Sequence, residues 1–100
     1  MSYFFVNKPE VVNDIEDVVE YYNKINTNLA ISFLDRLEEA KAYIIKHPKA
    51  FQIKYKNVRT ILLKQFPYHI HYIVDDVNKQ IVVLAIIHAY KNPKDYTNRL

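Results

Sequence analysis

The 100-residue chain contains no cysteine and no glycine. Without cysteine it can form neither a disulfide nor a thiolate metal site, a composition that fits a reducing compartment, and we expect it in the cytoplasm. Without glycine it has no Gly-rich phosphate loop and no dinucleotide fingerprint, so the nucleotide-dependent enzyme classes built on those motifs are excluded. A basic region followed by an apolar run is missing from the start, so no signal peptide is expected. The longest apolar stretch, Ile81 to Ala89, is interrupted by His88 and is far too short to span a bilayer. Linkers, repeats and low-complexity tracts are missing too. A single domain over residues 1–100, with no membrane segment, follows.

Half of the chain is hydrophobic and a quarter is charged, which predicts folding rather than disorder. Nine tyrosines and five phenylalanines supply large side chains for a small core. The charge is polarised along the chain. Residues 1–39 hold eight acids against Lys8, Lys24 and Arg36, whereas residues 40–100 hold eleven Lys/Arg against Asp75, Asp76 and Asp95. Such a molecule suits an anionic partner on its C-terminal half, although a lopsided solvated surface would read the same way.

Tyr3-Phe4-Phe5-Val6 predicts a first strand. Asn7 is placed to cap the helix that follows, with Pro9 in its first turn. Val12, Ile15, Val19 and Tyr22 recur at helical spacing over Pro9 to Lys24, with Glu10, Asp14, Asp17 and Lys24 turned outward. After the polar break Asn26-Thr27-Asn28, a second amphipathic helix carries Ala30, Phe33, Leu34, Leu37, Ala40, Ile44 and Ile45 on one side and stops before Pro48. The period then changes to two. Phe51 to Lys56 and Val58 to Gln65 predict one or two strands. In Phe66 to Val74, Phe66, Tyr68, Ile70, Tyr72 and Val74 share one face, and Pro67, His69, His71 and Ile73 share the other. Asp75-Asp76-Val77-Asn78-Lys79 is a polar turn into a central strand, Gln80 to His88. The expected fold class is α+β: a strand, a two-helix hairpin, then a three- to four-stranded antiparallel sheet with the helices on one face and the two histidines on the other.

The order and spacing of several segments resemble the RelE/ParE toxins of type II toxin–antitoxin systems, in particular the ParE-like, plasmid-stabilisation branch. The segments are Ile15-Glu16-Asp17-Val18-Val19-Glu20-Tyr21-Tyr22, Phe33-Leu34-Asp35-Arg36-Leu37, His47-Pro48, Val58-Arg59, Phe66-Pro67-Tyr68-His69-Ile70-His71-Tyr72 and Ile87-His88-Ala89-Tyr90-Lys91-Asn92-Pro93. The resemblance covers nearly the whole chain. It implies a small growth-inhibiting toxin neutralised by a cognate antitoxin whose C-terminal segment wraps it. ParE-like members poison DNA gyrase, whereas RelE-like members cleave messenger RNA on the ribosome with basic residues on the exposed sheet face and near the last strand, often with a late tyrosine. This chain has Tyr68-His69 where the cleaving branch carries Tyr-Arg, and Lys91 where arginine is more common, with Tyr96 as the counterpart of the late tyrosine. Those departures count against ribonuclease activity. A non-toxic domain that keeps only antitoxin contact is the third reading.

Were the chain to cleave RNA, it would need a base, an acid and cations around the scissile phosphate. The candidate catalytic residues are His69, Arg59, Lys91 and Tyr96, with His71, Lys54 and Lys56 as further members of the same surface. The plain alternative makes the histidines half-exposed strand residues and the lysines solubilising groups. His69-x-His71 has a spacing that can hold zinc, with His88 as the one further ligand on a neighbouring strand, but neither a metal nor any cofactor is expected. Tyr21 and Tyr22 are expected to pack, as are Tyr68 and Tyr72. Arg59 is equally suited to pairing with a helix acid. An acidic, amphipathic antitoxin segment should cover the basic surface.

Overall fold

A computed structural model describes residues 2–91 and residue 99. The chain runs β1 (Phe4–Asn7), α1 (Glu10–Ile25), α2 (Thr27–Lys46), β2 (Ile53–Tyr55), β3 (Val58–Leu62), β4 (Tyr68–Asp75) and β5 (Gln80–His88). One five-stranded sheet has the order β1-β5-β4-β3-β2. β2 to β5 are antiparallel neighbours, as hairpin connections dictate, and the boundaries of β5 coincide with those read from the sequence. β1 departs from the all-antiparallel expectation. It lies parallel to β5, with Phe4 opposite Gln80 and Asn7 opposite Val83. Its chain neighbour is a helix, so it reaches the sheet only after the rest of the fold has returned beside it.

Asn7 does not cap α1, because it is spent as the last residue of β1; Pro9 holds the N-cap position without a side-chain hydrogen bond. Asn26 alone separates the helices. Its extended backbone ends α1, and its side-chain oxygen accepts from Asn28 N–H at 2.8 Å to start α2. The two helices form an antiparallel hairpin over one face of the sheet. No helix among the described residues is long and apolar enough to cross a membrane.

The main core lies between that hairpin and the sheet. Val11, Phe33, Ile44, Ile70, Tyr72 and Ile81 are fully buried there. Phe33 meets Phe66 and Tyr68 edge-on, with ring centroids 5.6 and 5.7 Å apart, and Tyr22 stands edge-on to Phe66 at 5.1 Å. Burying each such ring contributes roughly 2–3 kcal/mol. Tyr22 and Tyr72 therefore pack, and Tyr68 packs at the margin. Tyr21 does not, for it stays 57% exposed on the outer side of α1.

With no glycine available, three of the described residues take left-handed backbone: Lys56 (φ 47°), Gln65 (φ 69°) and Lys79 (φ 54°). Each sits at a turn leaving or entering a strand, where a Cβ costs about 1 kcal/mol.

Candidate functional site

The sheet face turned away from the helices carries a second, smaller cluster: Val58, Leu84, Ala85 and Ile87, with Tyr55, Ile73 and Val82 against it. A β-bulge creates it. His71 pairs with Ala85 and Tyr72 with Val83, so Leu84 is an extra residue in β5. Leu84 and Ala85 consequently both join the distal cluster, while Val83 and Ile86 return to the helix side.

His71 was expected to face solvent with His69. It does lie on the distal face, but only 5% of it is exposed. Its Nδ1 is 3.2 Å from the Tyr55 hydroxyl, and its ring is 6.0 Å from that of His69. Burial, followed by the nearby His69 and Arg99, lowers its pKa to about 4, so it is neutral at physiological pH. His69 is only half-buried, flanked across the strands by Leu62 and Ile87. Burial and then Lys54 move its pKa downward. It too is largely neutral near pH 7, and it remains reachable from solvent.

Arg59 stands elsewhere. It pairs with Tyr72, whose ring is in the helix-side core, so its side chain leaves the sheet on the face opposite His69. Its Nη1 donates to the carbonyls of Lys49 at 3.1 Å and Phe51 at 2.6 Å. Tyr72 Oη donates to Pro48 O at 2.9 Å. Arg59 and Tyr72 together fasten the segment between α2 and β2, and among the described residues no helix acid is bonded to this guanidinium. The Tyr72 phenol is pushed up to about 12, chiefly by burial.

Lys91 is exposed beyond the end of β5, and its backbone N–H donates to His88 O at 3.0 Å. It lines a shallow cleft with Asp14, Asp17, Tyr21, Tyr68 and His88. His88 itself stacks edge-on with Tyr68 at 5.3 Å. Tyr96, like Asn92 and Pro93 of the sequence resemblance, lies outside the described residues. The structure places Lys54 close enough to His69 to lower its pKa, sets Arg59 on the opposite face of the sheet, and puts Lys91 in a cleft shared with Ile87, the cross-strand partner of His69. No three His, Cys, Asp or Glu side chains among the described residues are grouped so that they could hold a metal.

A different ionic cluster was missed. Asp14, expected to face outward, is 11% exposed and paired with Arg99, which is 18% exposed. Arg99 Nη1 lies 2.6 Å from Asp14 Oδ2 and Nη2 lies 3.2 Å from Oδ1, a two-pronged contact. Nη1 also donates to Leu84 O at 3.1 Å, and Asp14 Oδ2 accepts from Ile86 N–H at 3.0 Å. β1 ends opposite Val83, so the bulged stretch of β5 has no strand on that side, and the ion pair satisfies the backbone groups left over. The spacing of Val11, Asp14 and Val18 held a signal of this. An acid three residues after one buried valine and four before another is on the buried stripe of its helix.

Comparison with known proteins places these features. The family model for the ParE toxin of the type II toxin–antitoxin system parDE matches residues 6–93. The fold is similar to that of a chain from the chromosomal ParDE system of P. aeruginosa, with TM-score 0.72 and 18% identity, covering 88% of this chain and 96% of that one. A mutant of the E. coli toxin RelE in the free state aligns with TM-score 0.71 and 15% identity, covering 100% of this chain and 99% of that one. The isolated E. coli RelE toxin aligns with TM-score 0.63 and 14% identity, over 93% of this chain and 90% of that one. No curated protein matches the chain in sequence.

Proposed function

This chain belongs to the ParE toxin family of type II toxin–antitoxin systems, and from that premise we propose that it arrests growth by binding DNA gyrase, not by cutting RNA, until a cognate antitoxin neutralises it. The observation that carries this reading is the separation of Arg59 from His69 on opposite faces of the sheet. In-line attack by a 2′-hydroxyl needs base, acid and cation within hydrogen-bond reach of one phosphate. Here His71 is buried and neutral, and Arg59 is bound to two backbone carbonyls on the far side of the sheet from His69. Removing Arg59 from Lys49 and Phe51 to reach a phosphate would leave both carbonyls without that donor.

What the surface does offer suits a protein partner. Val12, Tyr21, Ile25 and Ile31 on the helical hairpin are each more than half exposed. Separately, a groove of about 550 Å³ has Ile15, Val19 and Leu34 in its walls and Glu16 and Glu20 at its rim. Exposed apolar side chains and an apolar groove on one helical hairpin suit contact with another macromolecule. Lys54 and Lys56 at the β2 end of the sheet complement an acidic amphipathic segment of the antitoxin, and that affinity should weaken as salt rises.

The test is induction in bacteria without antitoxin, read in three ways. Loss of supercoiling activity by purified gyrase, with DNA-damage signalling and intact transcripts, supports the proposal. Cut transcripts that disappear on His69→Ala would replace it with a ribosome-dependent ribonuclease using His69, with Lys91 and Tyr96 as the next residues to vary. Normal growth with soluble protein accumulating would leave a domain that only binds the antitoxin.

A further inference from the structure

The molecule divides by charge. The helical hairpin, residues 9–46, holds eight acids against four Lys/Arg, whereas residues 47–91 hold seven Lys/Arg against Asp75 and Asp76. The open groove of the hairpin has Ile15 and Val19 of α1 and Leu34 of α2 in its walls, with Glu16, Glu20 and Lys24 beside them. Lys24 lies 3.4 Å from Glu20, and both side chains are so exposed that the pair contributes little. Glu16 has no ion-pair partner among the described residues. Val12 is three residues before Ile15 and four before Glu16, and Ile31 is three before Leu34. Each therefore continues a groove wall by one turn, and each is 52% exposed.

The walls restrict what fits. Both are helices whose main-chain groups are bonded within the helix, so neither offers backbone partners to an extended chain. A third helix satisfies its own backbone and lays apolar residues at i, i+3, i+4 and i+7 along the floor. From Ile15 to Lys24 the groove spans about 14 Å of helix axis, room for two to three turns. Charge restricts the occupant further. Basic residues flanking the apolar stripe would meet Glu16 and Glu20. An acidic antitoxin segment would bring like charge to this face, and so would the helices of a second copy.

We propose that this groove is where the toxin grips its target, which presents a basic amphipathic helix of two to three turns. The inference rests on the reading of the chain as a toxin that arrests growth by binding a protein. It assigns two partners to two faces: the target to the acidic hairpin, the antitoxin to the cationic end of the sheet. Target affinity should fall as salt rises, because the flanking charges are exposed.

The test measures binding of the full chain to purified gyrase, with growth arrest in bacteria as a second readout. Glu16→Lys and Ile31→Ser alter exposed side chains and should melt near the wild-type temperature. Each should weaken gyrase binding by about tenfold or more and blunt growth arrest to match. Val77→Ser, at a position 92% exposed in the turn between β4 and β5, should change neither. Circular dichroism identifies any variant that fails to fold, and Glu20→Lys then takes its place. Folded groove variants that bind gyrase and arrest growth like the wild type overturn the proposal and leave the gyrase reading intact. A wild type that arrests growth without binding gyrase, with arrest lost in both variants, keeps the groove and discards gyrase as the target. Variants that arrest growth normally yet escape a co-expressed antitoxin hand the groove to the antitoxin and overturn the proposal. Normal growth on induction of the wild type overturns both.

Discussion

The two faces of the sheet solve the same problem with different materials. Under the helical hairpin, rings interlock: Phe33, Phe66, Tyr68 and Tyr22 meet edge-on, and Tyr72 is buried in the same cluster. On the distal face a β-bulge turns two adjacent small and medium residues, Leu84 and Ala85, to one side, and a neutral imidazole completes the layer. The helix face is held by shape, whereas the distal face depends on protonation state and on an ion pair at its margin. Ordinary packing changes should therefore disturb the first most, and acid should disturb the second.

The largest effect expected is at the centre of the helix face. Phe33→Ala should cost about 3–5 kcal/mol in urea unfolding, while Ile87→Ala in the distal cluster should cost about 2 kcal/mol. Equal losses would break the contrast. Next comes the margin: Asp14→Ala leaves Arg99 unpaired and Ile86 N–H without its acceptor, for a loss of about 2–4 kcal/mol. A double-mutant cycle with Arg99→Ala should recover much of that as coupling; additive losses would mean the pair does little.

Acid sensitivity isolates the distal face. His71 has a folded pKa of about 4, below its unfolded value, so between pH 6.5 and 4 the unfolded chain binds a proton that the folded one refuses. Stability should be fully present above that window and fall through it by on the order of 2–3 kcal/mol. His71→Gln should flatten this dependence, and an unchanged acid profile would remove His71 as its source. The smallest effect belongs to the turn at the sheet's edge. Lys56 occupies the first position of a two-residue hairpin connection at positive φ, so Lys56→Gly should stabilise by about 0.5 kcal/mol, seen as a small rise in Tm.

Much of this architecture was legible in the sequence because it is local. The helical repeat of Phe33, Leu37, Ala40 and Ile44, the alternation from Phe66 to Val74 and the polar turn before Gln80 each report on neighbours a few residues away. What the sequence hid is register between distant strands. Leu84 being one residue too many for its partner cannot be seen in β5 alone, yet it builds the cluster that lies beside His71. The side by which Arg59 leaves the sheet is hidden for the same reason, since only its pairing with Tyr72 fixes it. Asp14 and Arg99 are separated by most of the chain, and no periodicity links them. The candidate site was thus readable as a set of residue types and unreadable as a place.

The parallel pairing of β1 with β5 has a consequence for how the molecule is made. Phe4 finds its partner only at Gln80, near the far end of the polypeptide. During translation the first strand must wait outside the ribosome, unpaired and aromatic, until almost everything else has emerged. A chain built this way stays incomplete through most of its own synthesis and completes its sheet late.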